Sequence, residues 1–323
     1  MKVLHVVPGL ADPTNGIAVA AKLIAGRQGG KLIDSSDSSI VQFGEYDEVC
    51  VHSMWLPKTL LACWRVLRAG VPLVRMPHGC MDPLKVRYHL YKKIWFLPIE
   101  WYLFRRAKRI VSTEVDEDRW IAGWHTGTEI ERVDLFGDIK YSPRPGLGNR
   151  KFLFVGRMHP LKGVDVLIGA IRSLKTDGRL PDDFRLTIIG KDEKEMRAEF
   201  ESAAQGLPIT FLGQVEEDVK RRGMAVSDCL ILPTLSENFG LVVKESLECG
   251  VPVITTDGAK YWKGKPGVMY IEGFLAADYI KRVDMVSRAI FRILKGEGCL
   301  MEKAQTAEGS KYATISLNKR ASS

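Results

Sequence analysis

The chain has few cysteines, and their spacing does not form a metal or disulfide framework. Six cysteines are scattered through 323 residues without a Cys-x-x-Cys pair. Structural zinc sites and disulfide-rich folds need closely spaced or paired ligands. We therefore predict reduced thiols, as in a cytosolic protein, and no bound metal.

Long apolar runs are also missing. The longest nearly apolar run, 94–104, is interrupted by Pro98 and Glu100 and falls short of the roughly 20 residues that a membrane-spanning helix needs. At the N-terminus, Pro8 and Gly9 break a short apolar stretch, which predicts a first strand rather than a signal peptide. We expect no membrane span and a cytoplasmic location.

Acidic residues are scarce in one segment of this basic chain. The net charge is +8, and residues 85–109 carry eight Lys or Arg against a single acid, Glu100. Aromatic residues lie among these cations, a combination that suits a helix on the inner, anionic face of a membrane. Aromatics at helical spacing also pack in cores, and plain solvation explains a charge excess equally well. We expect no nucleic-acid partner, because no recognised binding module accompanies the charge.

Several catalytic motifs do not occur. The sequence has no Gly-x-Gly-x-x-Gly, no phosphate-binding P-loop and no Gly-x-Ser-x-Gly. Their absence argues against a dinucleotide oxidoreductase, a kinase-type ATPase and a serine hydrolase.

Short apolar strands alternate with helical patterns through both halves of the chain. This alternation predicts an α/β fold of two doubly wound, Rossmann-like domains with parallel sheets. The Pro- and Gly-rich stretch near 141–150 separates the two series. We place an N-terminal domain at 1–140, a hinge at 141–150, a C-terminal domain at 151–290 and a tail at 291–323. The predicted strands are 2–7, 48–52, 72–76, 109–113, 131–135, 151–155, 185–189, 208–212, 228–232, 251–255 and 267–271. The predicted helices are 16–26, 57–69, 86–106, 162–175, 193–204, 215–225, 240–249 and 277–295.

Open parallel sheets bind ligands beyond the carboxyl ends of their strands. A cleft between two such domains is therefore the expected site. In 233–253 a strand ends, a loop carries Glu237, and a helix begins near Gly240 with Glu245 inside it. Amides at the start of that helix are donors for phosphate or hydroxyl groups, and two carboxylates can accept from a polyol. Alone, each acid is explained as a solvated loop residue or a favourable first-turn charge.

The frame around these two acids resembles a known signature. Glu237-Asn238-Phe239-Gly240-Leu241, followed by Glu245, Gly250, Pro252 and Val253, resembles the motif of retaining glycosyltransferases of the GT-B fold, family four. That family has two Rossmann-like domains facing an inter-domain cleft. The resemblance implies that Glu237 contacts the donor sugar and Glu245 the ribose. It places Asn238 and the backbone of 239–241 near the sugar and phosphates.

A second segment, 154–171, resembles the strand-loop-helix that opens the C-terminal domain in the same family. The resemblance implies that Arg157 and Lys162 clamp the donor diphosphate, and cations there would stabilise the charge that a departing diphosphate gains. Each is otherwise a surface cation near a helix start, where positive charge is mildly unfavourable. The resemblance also implies that the loop at Val215 meets the base.

The N-terminal half supplies further candidates. Gly16 stands where the family has a glycine-rich phosphate loop, although a single glycine is more often only a turn. Considered alone, His78 is best explained as a structural histidine. Its segment, Pro-His-Gly-x-x-Asp-Pro, resembles the family's His-Gly segment, and the resemblance implies that His78 is catalytic together with Glu237. His52 and Glu114 follow other strands and are acceptor-side candidates. Asp116-Glu117-Asp118 matches a metal-nucleotide motif of another glycosyltransferase fold, but its place at a helix start favours capping.

The resemblance implies a metal-independent hexosyltransferase that retains anomeric configuration. We expect a UDP- or GDP-linked sugar as donor, no cofactor, and a saccharide or lipid-linked acceptor in bacterial polysaccharide or lipopolysaccharide synthesis. A nucleotide-sugar epimerase of GT-B architecture and a non-catalytic, membrane-associated GT-B module remain alternatives. A nucleic-acid-binding protein is the third alternative, which salt-dependent duplex binding would test.

Overall fold

The computed structural model describes residues 1–12, 15–87, 90–136, 141–143, 148–193, 195–237 and 239–297, apart from the side chains of Lys92 and Val115. Several predictions lie wholly or partly outside these residues. Asn238 is not described, and the tail at 291–323 is described only as far as residue 297. Parts of both predicted domains, of the hinge at 141–150 and of the predicted helices at 86–106 and 193–204 also lie outside them.

Six strands form the N-terminal sheet, and every pair in it is parallel. The strands are β1 (Val3–Val7), β2 (Lys31–Asp34), β3 (Glu48–His52), β4 (Leu73–Met76), β5 (Arg109–Ser112) and β6 (Glu129–Arg132). Their order across the sheet is β2-β1-β3-β4-β5-β6. The helices are α1 (Gly16–Gln28), α2 (Pro57–Arg68), α3 (Pro83–Arg87), α4 (Leu90–Lys93), α5 (Leu97–Arg106) and α6 (Val115–Ala122).

Six more strands form a second parallel sheet. They are β7 (Lys151–Val155), β8 (Arg185–Ile189), β9 (Ile209–Gly213), β10 (Cys229–Leu232), β11 (Val253–Thr256) and β12 (Val268–Ile271). The helices are α7 (Val164–Thr176), α8 (Arg197–Ala203), α9 (Glu217–Val226), α10 (Leu241–Glu248) and α11 (Tyr279–Leu294). The order β12-β11-β10-β7-β8-β9 reverses direction between β7 and β10. Such a switch point is where doubly wound sheets bind ligands.

The predicted α/β class with two doubly wound sheets is confirmed. β3, β4, β10 and β11 are buried along their whole length, as parallel strands covered on both faces should be. The largest core cluster surrounds the second sheet and continues into the N-terminal domain through Leu135 and Phe136. The ring of Phe136 lies 6.4 Å from Phe239 and 5.7 Å from Trp262.

The structure differs from the predicted elements at three places in the N-terminal domain. The predicted helix at 86–106 is interrupted, because α4 ends at Lys93 and α5 begins at Leu97. Pro98 lies in the first turn of α5, where a missing amide hydrogen does no harm. β2 was not predicted because it is a half-exposed edge strand without a long apolar run. The strand predicted at 131–135 lies at Glu129–Arg132.

Candidate active site

Two loops at the switch point bring opposite charges together. The loop after β7 carries Lys162, and the loop after β10 carries Glu237. The Lys162 ammonium forms an ion pair with the Glu237 carboxylate, and their side chains are only 12% and 19% exposed. Residues 75 positions apart in the chain thus meet at one edge of the sheet.

Close backbone packing holds these two loops in place. Gly163 has a φ of +68°, and a Cβ there would lie 2.1 Å from the Pro233 carbonyl oxygen. The Leu161 carbonyl accepts hydrogen bonds from the Leu235 amide at 2.8 Å and the Thr234 hydroxyl at 2.9 Å. Only glycine fits at 163, because the approach leaves no room for a side chain and the backbone is left-handed.

The charge on Glu237 depends on its neighbour. Burial raises the pKa of the Glu237 carboxyl, but the charge and hydrogen bond of Lys162 outweigh burial and hold that pKa below its ordinary value. The carboxylate is therefore ionised at neutral pH and can accept hydrogen bonds.

Helix α10 begins beside this pair. Gly240 is its N-cap with a φ of +58°, and a Cβ at Gly240 would lie 2.6 Å from the indole nitrogen of Trp262. That nitrogen donates to the Phe239 carbonyl at 2.8 Å. Packing against Trp262 thus fixes the backbone of 239–241, and the first turn of α10 begins next to Glu237.

Glu245 has a cation that the sequence did not reveal. Lys220 of α9 donates to the Glu245 carboxylate at 2.7 Å and also pairs with Glu217 at 2.9 Å. The spacing of charges in α9 predicts contacts within that helix, such as the i,i+3 pair with Glu217. Only the packing of α9 beside α10 places Lys220 at Glu245.

Arg157 and Val215 lie in loops at the same edge. Arg157 is paired with Glu193 at 2.8 Å, and its side chain is 55% exposed. The Arg157 loop packs against the next one, since a Cβ at Gly190 would lie 1.8 Å from the Gly156 carbonyl oxygen. Val215 follows β9 and is half-buried against the main core.

Gly16 faces α10 from the N-terminal domain. It is the first residue of α1, whose N-cap Asn15 accepts a hydrogen bond from the Ile17 amide at 3.0 Å. A Cβ on Gly16 would lie 3.8 Å from the Leu241 side chain. The turn predicted to approach the donor phosphates therefore lies opposite the start of α10.

His78 lies in a strained turn directly after β4. Its φ is +54°, which is unusual for a non-glycine residue. The buried Glu117 carboxylate holds this turn by accepting hydrogen bonds from the amides of Gly79 and Thr113. The buried His78 ring meets the Phe239 ring edge-on, with centroids 5.5 Å apart. His78 and the Glu237 loop therefore belong to one site.

His52, predicted on the acceptor side, lies behind His78 and not at the surface. It is fully buried, and its two ring nitrogens contact His78 and His5. Glu114 is half-buried at the start of α6. Burial, with a contribution from Asp116, raises the pKa of Glu114 to about 7.

Polar contacts join the two domains around the site. The Ser236 hydroxyl donates to the Asp82 carboxylate, and Lys260 pairs with Asp116. The Tyr261 hydroxyl donates to Asp134 at 3.0 Å. Two of these acids, Asp82 and Asp116, lie beside predicted site residues in the sequence, but their partners follow only from the tertiary arrangement.

The Asp116-Glu117-Asp118 carboxylates have structural partners. Asp116 pairs with Lys260, Glu117 holds the His78 turn, and Asp118 pairs with Arg132. Among the described residues, no group of three or more His, Cys, Asp or Glu is arranged to hold a metal ion. In the same part of the chain, no helix has the length and apolar character needed to cross a bilayer.

Comparison with known proteins places this geometry in context. Residues 149–295 match the sequence family described as Glycosyl transferases group 1. D-inositol 3-phosphate glycosyltransferase of Pseudarthrobacter chlorophenolicus is 31% identical over 53% of this chain and 42% of its own length. Phosphatidyl-myo-inositol mannosyltransferase of Mycobacterium leprae is 36% identical over 41% of this chain and 34% of its own length. The chain thus spans less than half the length of these curated relatives.

The fold likeness covers nearly the whole chain. Anabaena HepE, determined in complex with UDP and glucose, superposes with a TM-score of 0.62 over 91% of this chain and 95% of its own. Their sequence identity is 17%, so the likeness concerns the fold. The fold is GT-B. In this GT-B chain, Phe239 contacts His78 and Leu241 lies opposite Gly16 of the N-terminal domain. Glu245 is paired with Lys220, and the Arg157 side chain is exposed.

Proposed function

We propose that this chain is a retaining glycosyltransferase that moves a hexose from a UDP- or GDP-linked sugar to a saccharide or lipid-linked acceptor. The observation that carries the proposal is the Lys162–Glu237 ion pair at the switch point, beside the start of α10 and opposite His78. A cation, an ionised acid and helix amides are the groups that a sugar diphosphate requires.

The cations and the carboxylates contact different parts of the donor. Lys162 and Arg157 neutralise the diphosphate, which gains negative charge as it departs. Glu237 accepts hydrogen bonds from sugar hydroxyls, and Glu245 accepts them from the ribose. Donor binding shares the Lys162 ammonium between Glu237 and the phosphate, so the cation is already in position before the substrate arrives.

We propose front-face attack for the chemical step. The acceptor hydroxyl oxygen bonds to the anomeric carbon on the side from which the diphosphate leaves. The bond between that carbon and the phosphate oxygen breaks, and the hydroxyl proton passes to the departing phosphate. No metal and no cofactor take part, and the configuration at the anomeric carbon is retained.

A basic aromatic surface supports a lipid-linked acceptor. Trp95 is 80% exposed, and Tyr91 and Ile94 are exposed beside it. The same segment, 85–109, carries eight Lys or Arg residues against a single acid. Such a surface suits the cytoplasmic face of an anionic membrane, as in bacterial polysaccharide or lipopolysaccharide assembly.

The test is ligand binding followed by product analysis. A thermal-shift panel of UDP, GDP, ADP and their sugars should identify one base, because ligand at 100 times its Kd adds ~2.7 kcal/mol of stability. With that donor and an acceptor, the product should keep the anomeric configuration of the donor. Conversion of the donor sugar without any acceptor would instead identify an epimerase. Binding without turnover would identify a non-catalytic module.

A further inference from the structure

Three buried histidines form a hydrogen-bonded chain that leads from the end of α1 to the GT-B cleft. Gln28 Oε1 lies 3.1 Å from His5 Nε2, and His5 Nδ1 lies 2.9 Å from His52 Nε2. His52 Nδ1 lies 2.6 Å from His78 Nε2. The planes of the His52 and His78 rings are nearly parallel, at 14°, with centroids 4.9 Å apart. Because His78 also contacts Phe239, the chain ends at the proposed donor site.

Neighbouring parallel strands build this chain. His5 lies in β1, His52 ends β3, and His78 follows β4 by two residues, while β1, β3 and β4 are adjacent in the sheet. Gly30 packs on the His5 ring, since a Cβ there would lie 2.7 Å from His5 Cδ2. The three rings are therefore fixed by the sheet.

The hydrogens in the chain follow from its first member. The Gln28 side-chain oxygen only accepts hydrogen bonds, so His5 Nε2 carries the hydrogen. A neutral imidazole has one hydrogen, so His5 Nδ1 accepts from His52 Nε2. By the same rule His52 Nδ1 accepts from His78 Nε2. His78 Nδ1 is then left as a bare acceptor.

Burial keeps these rings neutral. Burial lowers the pKa of His5 to about 4, although Gln28 and Glu48 act in the opposite direction. Burial, with the charges of His5 and Lys85, lowers the pKa of His78 to about 3. The pKa of His52 is lowered well below its ordinary value for the same main reason. Passing a proton along the chain would require a charged His52, which burial disfavours. The chain therefore influences His78 by fixing which ring nitrogen carries the hydrogen.

We propose that His5 and His52 are positioning residues that hold His78 as its Nε2–H tautomer, so that His78 Nδ1 accepts a hydrogen bond from a hydroxyl of the bound donor sugar. Within the described part of the chain, His78 Nδ1 is buried without a hydrogen-bond partner, and a buried polar atom without a partner is rare. The ligand part of this inference rests on the proposed function, while the tautomer part does not.

The exposed Gln28 provides a test far from the cleft. Gln28→Glu presents only acceptor oxygens and should preserve every tautomer. Gln28→Lys presents only donors, so it should reverse the chain and place the hydrogen of His78 on Nδ1. Gly26→Lys is the charge-matched control, because a side chain there has nothing within 4 Å and positions two apart on a helix do not face each other.

The measurement is long-range ¹H–¹⁵N correlation of the ¹⁵N-histidine-labelled full chain, which distinguishes bare from protonated ring nitrogens, together with kcat and KM for the donor. We expect a bare His78 Nδ1 in the wild type, Gln28→Glu and Gly26→Lys. In Gln28→Lys we expect a protonated His78 Nδ1 and a roughly tenfold loss of kcat/KM, which the acceptor variant Gln28→Glu avoids.

Each contrary result overturns a defined part of the inference. A protonated His78 Nδ1 in the wild type, or an unchanged tautomer in Gln28→Lys, contradicts the positioning role of the chain. A reversed tautomer with unchanged kinetics contradicts hydroxyl recognition by His78. Absence of any sugar transfer by the wild type contradicts the proposed function instead, and the NMR spectra still decide the tautomers.

Discussion

Lys162 and Glu237 act as a unit at the scale of single residues. Both side chains are largely withdrawn from water, so each stabilises the charge of the other. Removing one member of such a pair leaves an uncompensated charge, which is more harmful than removing both. Effects on stability and on turnover can therefore be separated.

We predict that Lys162→Ala weakens donor binding or raises the activation free energy by ~1–3 kcal/mol, the usual range for hydrogen bonds to charged groups. The same variant should also be less stable than the wild type. The double variant Lys162→Ala with Glu237→Gln should regain stability in urea unfolding but not activity. Unchanged kinetics in Lys162→Ala, at saturating and subsaturating donor, would contradict its role at the diphosphate.

The buried histidines predict a loss of stability in mild acid. The folded pKa is about 4 for His5 and about 3 for His78, whereas an unfolded histidine has a pKa of about 6.5. Below pH 6.5 the unfolded chain binds more protons, so stability falls as pH drops from 6.5 towards 4, by up to ~1.4 kcal/mol per pH unit for each histidine.

Urea unfolding at a series of pH values checks this expectation. Between pH 6.5 and 5, the unfolding free energy of His5→Asn should fall less steeply with pH than that of the wild type. The difference in slope should correspond to about one proton fewer taken up on unfolding. The control is His125→Asn, because His125 is exposed and has a left-handed backbone conformation that asparagine also adopts. The stability of this control should depend on pH as steeply as that of the wild type. Equal slopes in all three proteins would show that the buried histidines are not the acid-labile groups.

At the scale of elements, α7 has a left-handed glycine close to each end, and the two differ in their surroundings. Gly163 precedes α7 with a φ of +68°, and Gly178 follows it with a φ of +67°. A Cβ at Gly163 would collide with the Pro233 carbonyl, whereas a Cβ at Gly178 has nothing within 4 Å. An alanine at Gly178 would therefore introduce backbone strain alone, whereas an alanine at Gly163 would introduce backbone strain and a steric clash.

We predict that Gly178→Ala costs ~1–2 kcal/mol of unfolding free energy, the strain of a left-handed residue. Gly163→Ala should cost more, ~3 kcal/mol or above, because the loops after β7 and β10 must also separate. Turnover should fall only in Gly163→Ala, since Lys162 lies next to it. Similar unfolding midpoints and similar turnover for the two variants would show that the loop contact is unimportant.

At the scale of the whole molecule, exposed apolar side chains and positive charge coincide on the N-terminal domain. Trp95 is 80% exposed there, and an apolar groove in the same domain is lined by Leu97, Pro98, Trp101 and Trp124. Ile280 on α11 is 79% exposed in the other domain. Trp95 and Ile280 therefore form a matched pair for testing a membrane surface.

We predict that the chain binds vesicles containing anionic lipid and that added salt weakens this binding. Trp95→Ser should reduce the bound fraction several-fold in vesicle sedimentation, because the variant lacks the apolar ring that membrane binding would remove from water. Ile280→Ser should bind as the wild type does. Equal binding of both variants, or equal binding to zwitterionic vesicles, would contradict a membrane surface at 85–109.

The sequence by itself determined the alternation of strands and helices, and with it the α/β class, because apolar runs and turn residues act over short distances. It also located the Glu237–Glu245 segment and the glycines that flank it. The tertiary structure alone decided which side chains meet. His52 lies behind His78, Lys220 reaches Glu245, and Ser236 bonds to Asp82, across 26, 25 and 154 positions of chain. Such contacts depend on strand order and on how two sheets face each other, and no local pattern of residues encodes either.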